Sequence, residues 1–167
     1  MPERPEILAD EGSLCEVMQF TVNGSRYVIT VDMVREILVS EEVTPMPLVH
    51  PAVEGVYRPR DTVITVVDLP YYLSGRPVEK HPKDLFIVTH FGGRNIAFRV
   101  HTVVGIFRID PNMIQKPDPA VSSGAAAITK GIVKSDGNLI TLLDLAGLGE
   151  KLVPSEEELT IVMPSEF

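Results

Sequence analysis

The chain has 167 residues, enough to bury a core of its own within one compact unit. Fifteen Lys and Arg against twenty-three Asp and Glu give a net charge of −8, which opposes attraction to phosphate backbones and anionic lipid and argues against nucleic acid as a partner. One cysteine, Cys15, excludes an intrachain disulfide or a thiolate metal cluster, and no apolar run reaches membrane-spanning length.

Residues 1–15 carry Pro2, Glu3, Pro5 and Glu6 and lack the basic flank and apolar run of a secretory signal, so a cytoplasmic location is expected. From residue 16 onward, short runs rich in Val, Ile, Thr, Phe and Tyr alternate with turn residues, the mark of an all-β chain with few short helices. The spacing predicts strands over Glu16–Val22, Tyr27–Val31, Thr62–Leu69, Asp84–His90, Asn95–Val100 and Asn138–Leu145. Asn23-Gly24, Gly92-Gly93 and Asp136-Gly137 read as hairpin turns because each supplies residues that tolerate positive φ. Three segments read as helical: Asp32–Leu38, with Asp32 as N-cap and Val34, Ile37 and Leu38 on one face, Asp110–Gln115, and Asp144–Lys151. Pro45, Pro47, Pro51 and Pro59 keep the stretch between them extended. Pro117–Ala127 reads as a mobile loop, and residues 151–167 as a tail or linker.

An internal repeat runs through the chain. Gly55-Val56, Arg58 and Val63–Leu69 match Gly131-Ile132, Lys134 and Leu139–Leu145 without a gap. In a second register Gly24, Val31, Val34 and Ile37 match Gly93, Val100, Val103 and Ile106. Together they imply two similar lobes of about five short strands, each the size of a small barrel.

Chemistry is sparse. His50, His81, His90 and His101 are scattered; only His90 and His101, flanking one hairpin, suggest a facing pair, and no metal site is expected. Asp68 and Asp144 end strands at equivalent repeat positions, which reads as capping rather than acid–base work. No phosphate loop or other cofactor motif is present, and Cys15 reads as structural. Arg58-Pro59-Arg60-Asp61 sets two guanidinium groups on a kinked turn of an acidic protein. The turn reads either as an interface anchor or as a surface turn whose charges pair with Asp61 and Glu54.

The order Val34-Arg35-Glu36-Ile37, Pro45 to Pro47, His50–Val56, Arg60 and Val63–Leu69 resembles the signature of the CheW family, and the likeness spans about residues 16–150. Ile7–Gly12 and Ala97–His101 leading to Ile114–Pro117 are similar to the CheW-like part of CheV, in which a receiver domain follows; a stand-alone form and a form lacking that receiver both remain open. The resemblance implies two five-stranded SH3-like barrels with an apolar groove between them and a non-catalytic chemotaxis adaptor at receptor arrays on the inner face of the membrane. Its implied partners are the regulatory domain of the histidine kinase CheA and the cytoplasmic tip of chemoreceptors. Val34 and Glu36 match coupling positions, Gly55 the groove glycine and Arg60 the family arginine; Asp61 departs from the family glycine and Thr65 from its proline. A small-molecule-binding β-barrel is the alternative, recognised by a cavity inside one lobe.

Overall fold

The computed structural model describes residues 14–47, 49–116 and 127–153. Among these residues eleven strands follow in chain order: β1 Cys15–Val22, β2 Ser25–Thr30, β3 Val34–Val39, β4 Val53–Tyr57, β5 Ile64–Asp68, β6 Leu85–Phe91, β7 Arg94–Val100, β8 Thr102–Ile109, β9 Ile114–Gln115, β10 Thr129–Ser135 and β11 Asn138–Leu143. Two short helices, α1 Leu69–Ser74 and α2 Leu145–Leu152, follow β5 and β11. The all-β reading holds, as do the hairpins: Asn23-Gly24, Gly92-Gly93 and Asp136-Gly137 each have two positive φ values, the geometry whose twist matches that of the flanking strands.

The strands form two sheets. The first is six-stranded in the order β9-β10-β11-β2-β1-β8, and the second five-stranded in the order β3-β6-β7-β5-β4. Each carries antiparallel hairpins joined by one parallel pair: Thr141 and Leu142 lie opposite Tyr27 and Val28 in the first sheet, Thr65 and Val66 opposite Ile96 and Ala97 in the second. These registers superpose the two repeats noted in the sequence, since Thr65 corresponds to Thr141 and Ile96 to Tyr27. Neither lobe is one contiguous repeat, however. The hairpin β1–β2 joins the strands of the second repeat, and the hairpin β6–β7 joins those of the first. The halves have exchanged hairpins, so each lobe takes strands from both repeats.

That exchange places the principal core between the sheets. Met18, Phe20 and Ile29 of the first meet Val67, Ile87 and Phe98 of the second, with Leu145, Leu148 and Leu152 of α2 closing the cluster. The opposite faces line smaller lobe interiors: Val17, Val28, Ile140 and Leu142 in the first, Ile64, Val66, Phe86, Val88 and Ala97 in the second. Strands covered on both faces lose the alternation of half-exposed ones, which is why β5 is buried at every residue.

Asp68 and Asp144 are the caps expected of them. Their Oδ1 atoms accept from Tyr71 N at 3.0 Å and Gly147 N at 2.9 Å, while their own N–H groups donate to Ala52 and Ile128. Helix α1 itself escaped the sequence reading, and α2 matches the expected segment while extending through Leu152.

Two other helical expectations are corrected. Val31–Met33 is a single 3₁₀ turn, Asp32 does not cap it, and Val34–Val39 is a strand. Pro111–Met113 is likewise one 3₁₀ turn before β9. Val34, Ile37 and Leu38 fit helical spacing locally, but pairing with β6 supplies backbone partners to Glu36, Ile37, Leu38 and Val39 that a six-residue helix would largely lack. Ile7–Gly12, the segment 117–126 and residues 154–167 lie outside the described residues.

Candidate partner-binding surfaces

Val34 and Glu36 open β3, the edge strand of the second lobe. A bulge between them leaves Arg35 unpaired in the ladder, with Val34 opposite Thr89 and Glu36 opposite Val88. Val34 is half-buried and packs on the shared core, whereas Glu36 is exposed. Farther along the strand Ile37 and Val39 are exposed apolar residues. The pseudo-equivalent strand β8 repeats the arrangement at the edge of the first lobe: Val103 packs on the shared core, and Val104, Ile106 and Phe107 are exposed. Among the described residues each lobe therefore presents an edge strand with an exposed apolar side and no further strand beside it, the kind that proteins leave open chiefly where something pairs with it.

Gly55 and Arg60 belong to the opposite end of the second sheet. Gly55 is buried with φ 143°, at a bulge of β4, and an added Cβ would overlap the Thr44 carbonyl oxygen. That close approach lets Thr44 and Val56 exchange two 2.9 Å backbone hydrogen bonds, fastening the 40–45 strap across β4. Gly131 repeats the arrangement, since a Cβ there would overlap the Ile114 side chain of β9. Arg60 is exposed at φ 59°, in a turn where Thr62 N donates to Pro59 O at 3.2 Å. Neither Arg58 nor Arg60 has an ion-pair partner among the described residues, so the pairing with Asp61 and Glu54 is not formed. The four matched residues thus lie in two places, Val34 and Glu36 at one edge, Gly55 and Arg60 at the other hairpin.

Glu54 is taken by a buried network absent from the sequence reading. Arg99 donates from Nη2 to Glu54 Oε1 at 3.0 Å and from Nε to Oε2, and from Nη1 to Asp84 Oδ2 at 3.0 Å. Its guanidinium also lies 5.1 Å from the Phe86 ring centroid. Burial on its own lowers the pKa of Arg99, but the hydrogen bonds and charges of Glu54 and Asp84 outweigh it, and the group is held above its ordinary value. The signal was readable: Arg99 follows Ala97 on one face of a strand whose other residues from Ile96 to Val100 are apolar, and an arginine there requires a carboxylate. The network borders a cavity of about 710 Å³ that opens between the 40–45 strap and residues 77–82. Asp68, at its wall, pairs with Lys80 at 3.5 Å.

The histidines do not converge. His101 Nδ1 accepts from Asn23 N at 2.9 Å, whereas His90 lies beside Asn95 and Arg35. Among the described residues no three His, Cys, Asp or Glu stand together as a metal set, and no helix is long and apolar enough to cross a membrane.

Comparison with known proteins agrees with this architecture. A model of the CheW-like domain matches residues 16–152. The chemotaxis protein CheW of Thermotoga maritima is 31% identical over 149 residues, covering 89% of this chain and 97% of that protein. The chemotaxis protein CheW of Rhizobium meliloti is 27% identical over 85% of this chain and 89% of its own. The crystal structure of scaffolding protein TtCheW from Thermoanaerobacter tengcongensis shares the fold, with a TM-score of 0.70 at 23% identity over 78% of this chain and 88% of that one. The chain belongs to the CheW-like domain family.

Proposed function

We propose that the protein is a non-catalytic adaptor of bacterial chemotaxis, holding the regulatory domain of the kinase CheA and the cytoplasmic tip of chemoreceptors in one assembly at the inner face of the membrane. The observation that carries this reading is the family match across 16–152, joined by relatives named chemotaxis protein CheW that align over nearly their whole length. The geometry supports it. Val34 and Glu36 at one edge, and Arg60 on the opposite hairpin, give two separated surfaces, as a protein that bridges partners requires. A receptor helix would set apolar residues at i, i+3 and i+4 against the Val34 side, and Arg60 would meet a carboxylate. Calorimetric titration of the full chain with a CheA regulatory domain and with a receptor-tip fragment tests the proposal. Binding to both is expected; binding to neither would overturn it.

A further inference from the structure

The two edges of the second sheet differ. Beside β4 the 40–45 strap is fastened through Thr44 and Val56, whereas β3 has no strand on its outer side among the described residues. The far half of β3 carries apolar side chains into solvent, Ile37 at 37% and Val39 at 61% exposed, and no proline or charge interrupts residues 37–39 to discourage pairing. Because of the bulge after Val34, residues Val34, Ile37 and Val39 stand opposite Thr89, Ile87 and Leu85 and so share one face of the sheet, while Glu36, opposite Val88, belongs to the other.

The chain itself holds a segment of matching kind. After Val153 it continues as Pro154-Ser155-Glu156-Glu157-Glu158, then Leu159-Thr160-Ile161-Val162-Met163, then Pro164. Thr160, Ile161 and Val162 are β-branched and suit a pleated surface, and at a period of two Leu159, Ile161 and Met163 fall on one face. Neither 1–13 nor 117–126 has a comparable run. Where the segment starts decides which edge it can reach. Arg94 Nη1 donates to Val153 O at 2.8 Å, which places Val153 at the tip of the β6–β7 hairpin. Strand β3 begins at that same end, with Val34 opposite Thr89, and runs away from it. From β7 at Arg94 to the outer side of β3 level with Glu36 is three strand spacings across and three residues along, roughly 17 Å, and the six residues from Val153 to Leu159 span up to about 20 Å. The open strand of the first sheet, β8, starts at the opposite end of β7. Arg35, exposed beside the crossing path, offers a cation to Glu156, Glu157 and Glu158.

We propose that the open edge of β3 is the docking site of this chain's own segment Leu159–Met163, which adds beside Glu36–Val39 as a sixth strand of the second sheet. Entry from the Val34 end makes the pairing parallel. Leu159, Ile161 and Met163 then cover Ile37 and Val39, and the edge gains the backbone partners it otherwise lacks. The Glu36 side chain, on the opposite face, stays in solvent, and Val34 lies outside the paired stretch. The proposal goes beyond the adaptor reading and does not depend on it, because both strands belong to one chain.

Hydrogen exchange of the full chain, followed amide by amide by NMR, tests the pairing. The β3 amides that do not bond β6 should exchange about tenfold or more slowly in the parent than in Ile161→Pro, which sets a proline in the middle of the added strand, while β8 amides are unchanged. Val39→Lys, at an exposed position of the receiving strand, should cause the same loss of protection with the 154–167 segment intact. Cross-strand nuclear Overhauser contacts between Leu159–Met163 and Glu36–Val39 in a parallel register are expected in the parent. The proposal is overturned if parent and both variants exchange alike, if the protection lost lies on β8 rather than β3, or if it grows with protein concentration, which would make a second copy the occupant.

Discussion

At Arg60 a conformational and a chemical requirement meet. Its φ of 59° lies in the left-handed region, where a side chain costs on the order of 1 kcal/mol relative to glycine. Pro59 and the Thr62-to-Pro59 hydrogen bond hold the turn, and the guanidinium is left exposed. Arg60→Gly should therefore fold at least as stably as the parent while losing about 2 kcal/mol of binding to the partner that reads this turn. Arg58→Ala, two residues away and matching no family arginine, should matter less; calorimetric titration of both variants, beside thermal melts, separates them. Equal losses from both would mean that the turn acts only through its net charge. Arg99 presents the opposite case. Replacing it by alanine leaves Glu54 and Asp84 buried without their cation, and urea denaturation should show a loss of about 3–5 kcal/mol. Because its pKa in the folded protein lies above the ordinary guanidinium value, the stability contributed by its charge is fully present below that ordinary value and is lost only as pH rises through the still higher folded one. Melting curves across neutral pH should therefore show no transition traceable to Arg99.

The element that best shows local and non-local forces in conflict is β3. Val34-Arg35-Glu36-Ile37-Leu38-Val39 carries apolar residues at helical spacing, yet it pairs with β6 through a bulge that turns Glu36 to solvent and Val34 toward the shared core. Substitutions along it should divide accordingly. Glu36→Lys should leave stability within about 0.5 kcal/mol and weaken binding to the receptor tip. Val34→Asp should lower stability by several kcal/mol, since it drives a carboxylate against the core. Thermal melting and receptor-tip titration of the two variants provide the check; a stable Val34→Asp protein that still binds would show that β3 neither packs nor docks through that residue.

For the molecule as a whole, the exchanged hairpins mean that no lobe can unfold alone. Removing the second lobe would take β3 and β4–β7 away from the core they share with β1 and β2. Scanning calorimetry should give a single transition whose van't Hoff and calorimetric enthalpies agree. Two resolved transitions would show that the lobes are energetically separate.

The sequence alone determined the elements with strong local chemistry. Asn23-Gly24, Gly92-Gly93 and Asp136-Gly137 fixed three hairpins, Asp68 and Asp144 fixed the caps after β5 and β11, and the two repeat registers announced two lobes before any contact was known. It also marked Arg60 as exposed, because a proline-bound turn has few ways to bury a guanidinium. Which hairpin joins which lobe was not written locally. Both hairpins present apolar residues of the same kind, and only long-range pairings, the parallel ones of β2 with β11 and β5 with β7 and the antiparallel ones of β1 with β8 and β3 with β6, choose between keeping and exchanging them. Tertiary structure likewise decided that Val34–Val39 is a strand, because an edge strand gains its hydrogen bonds from a partner fifty residues away in the chain. The same holds for Arg99, whose two carboxylates come from β4 and from the residue before β6. Periodicity can show that such a charge lies on an apolar face, but only folding brings it the partners that make its burial tolerable.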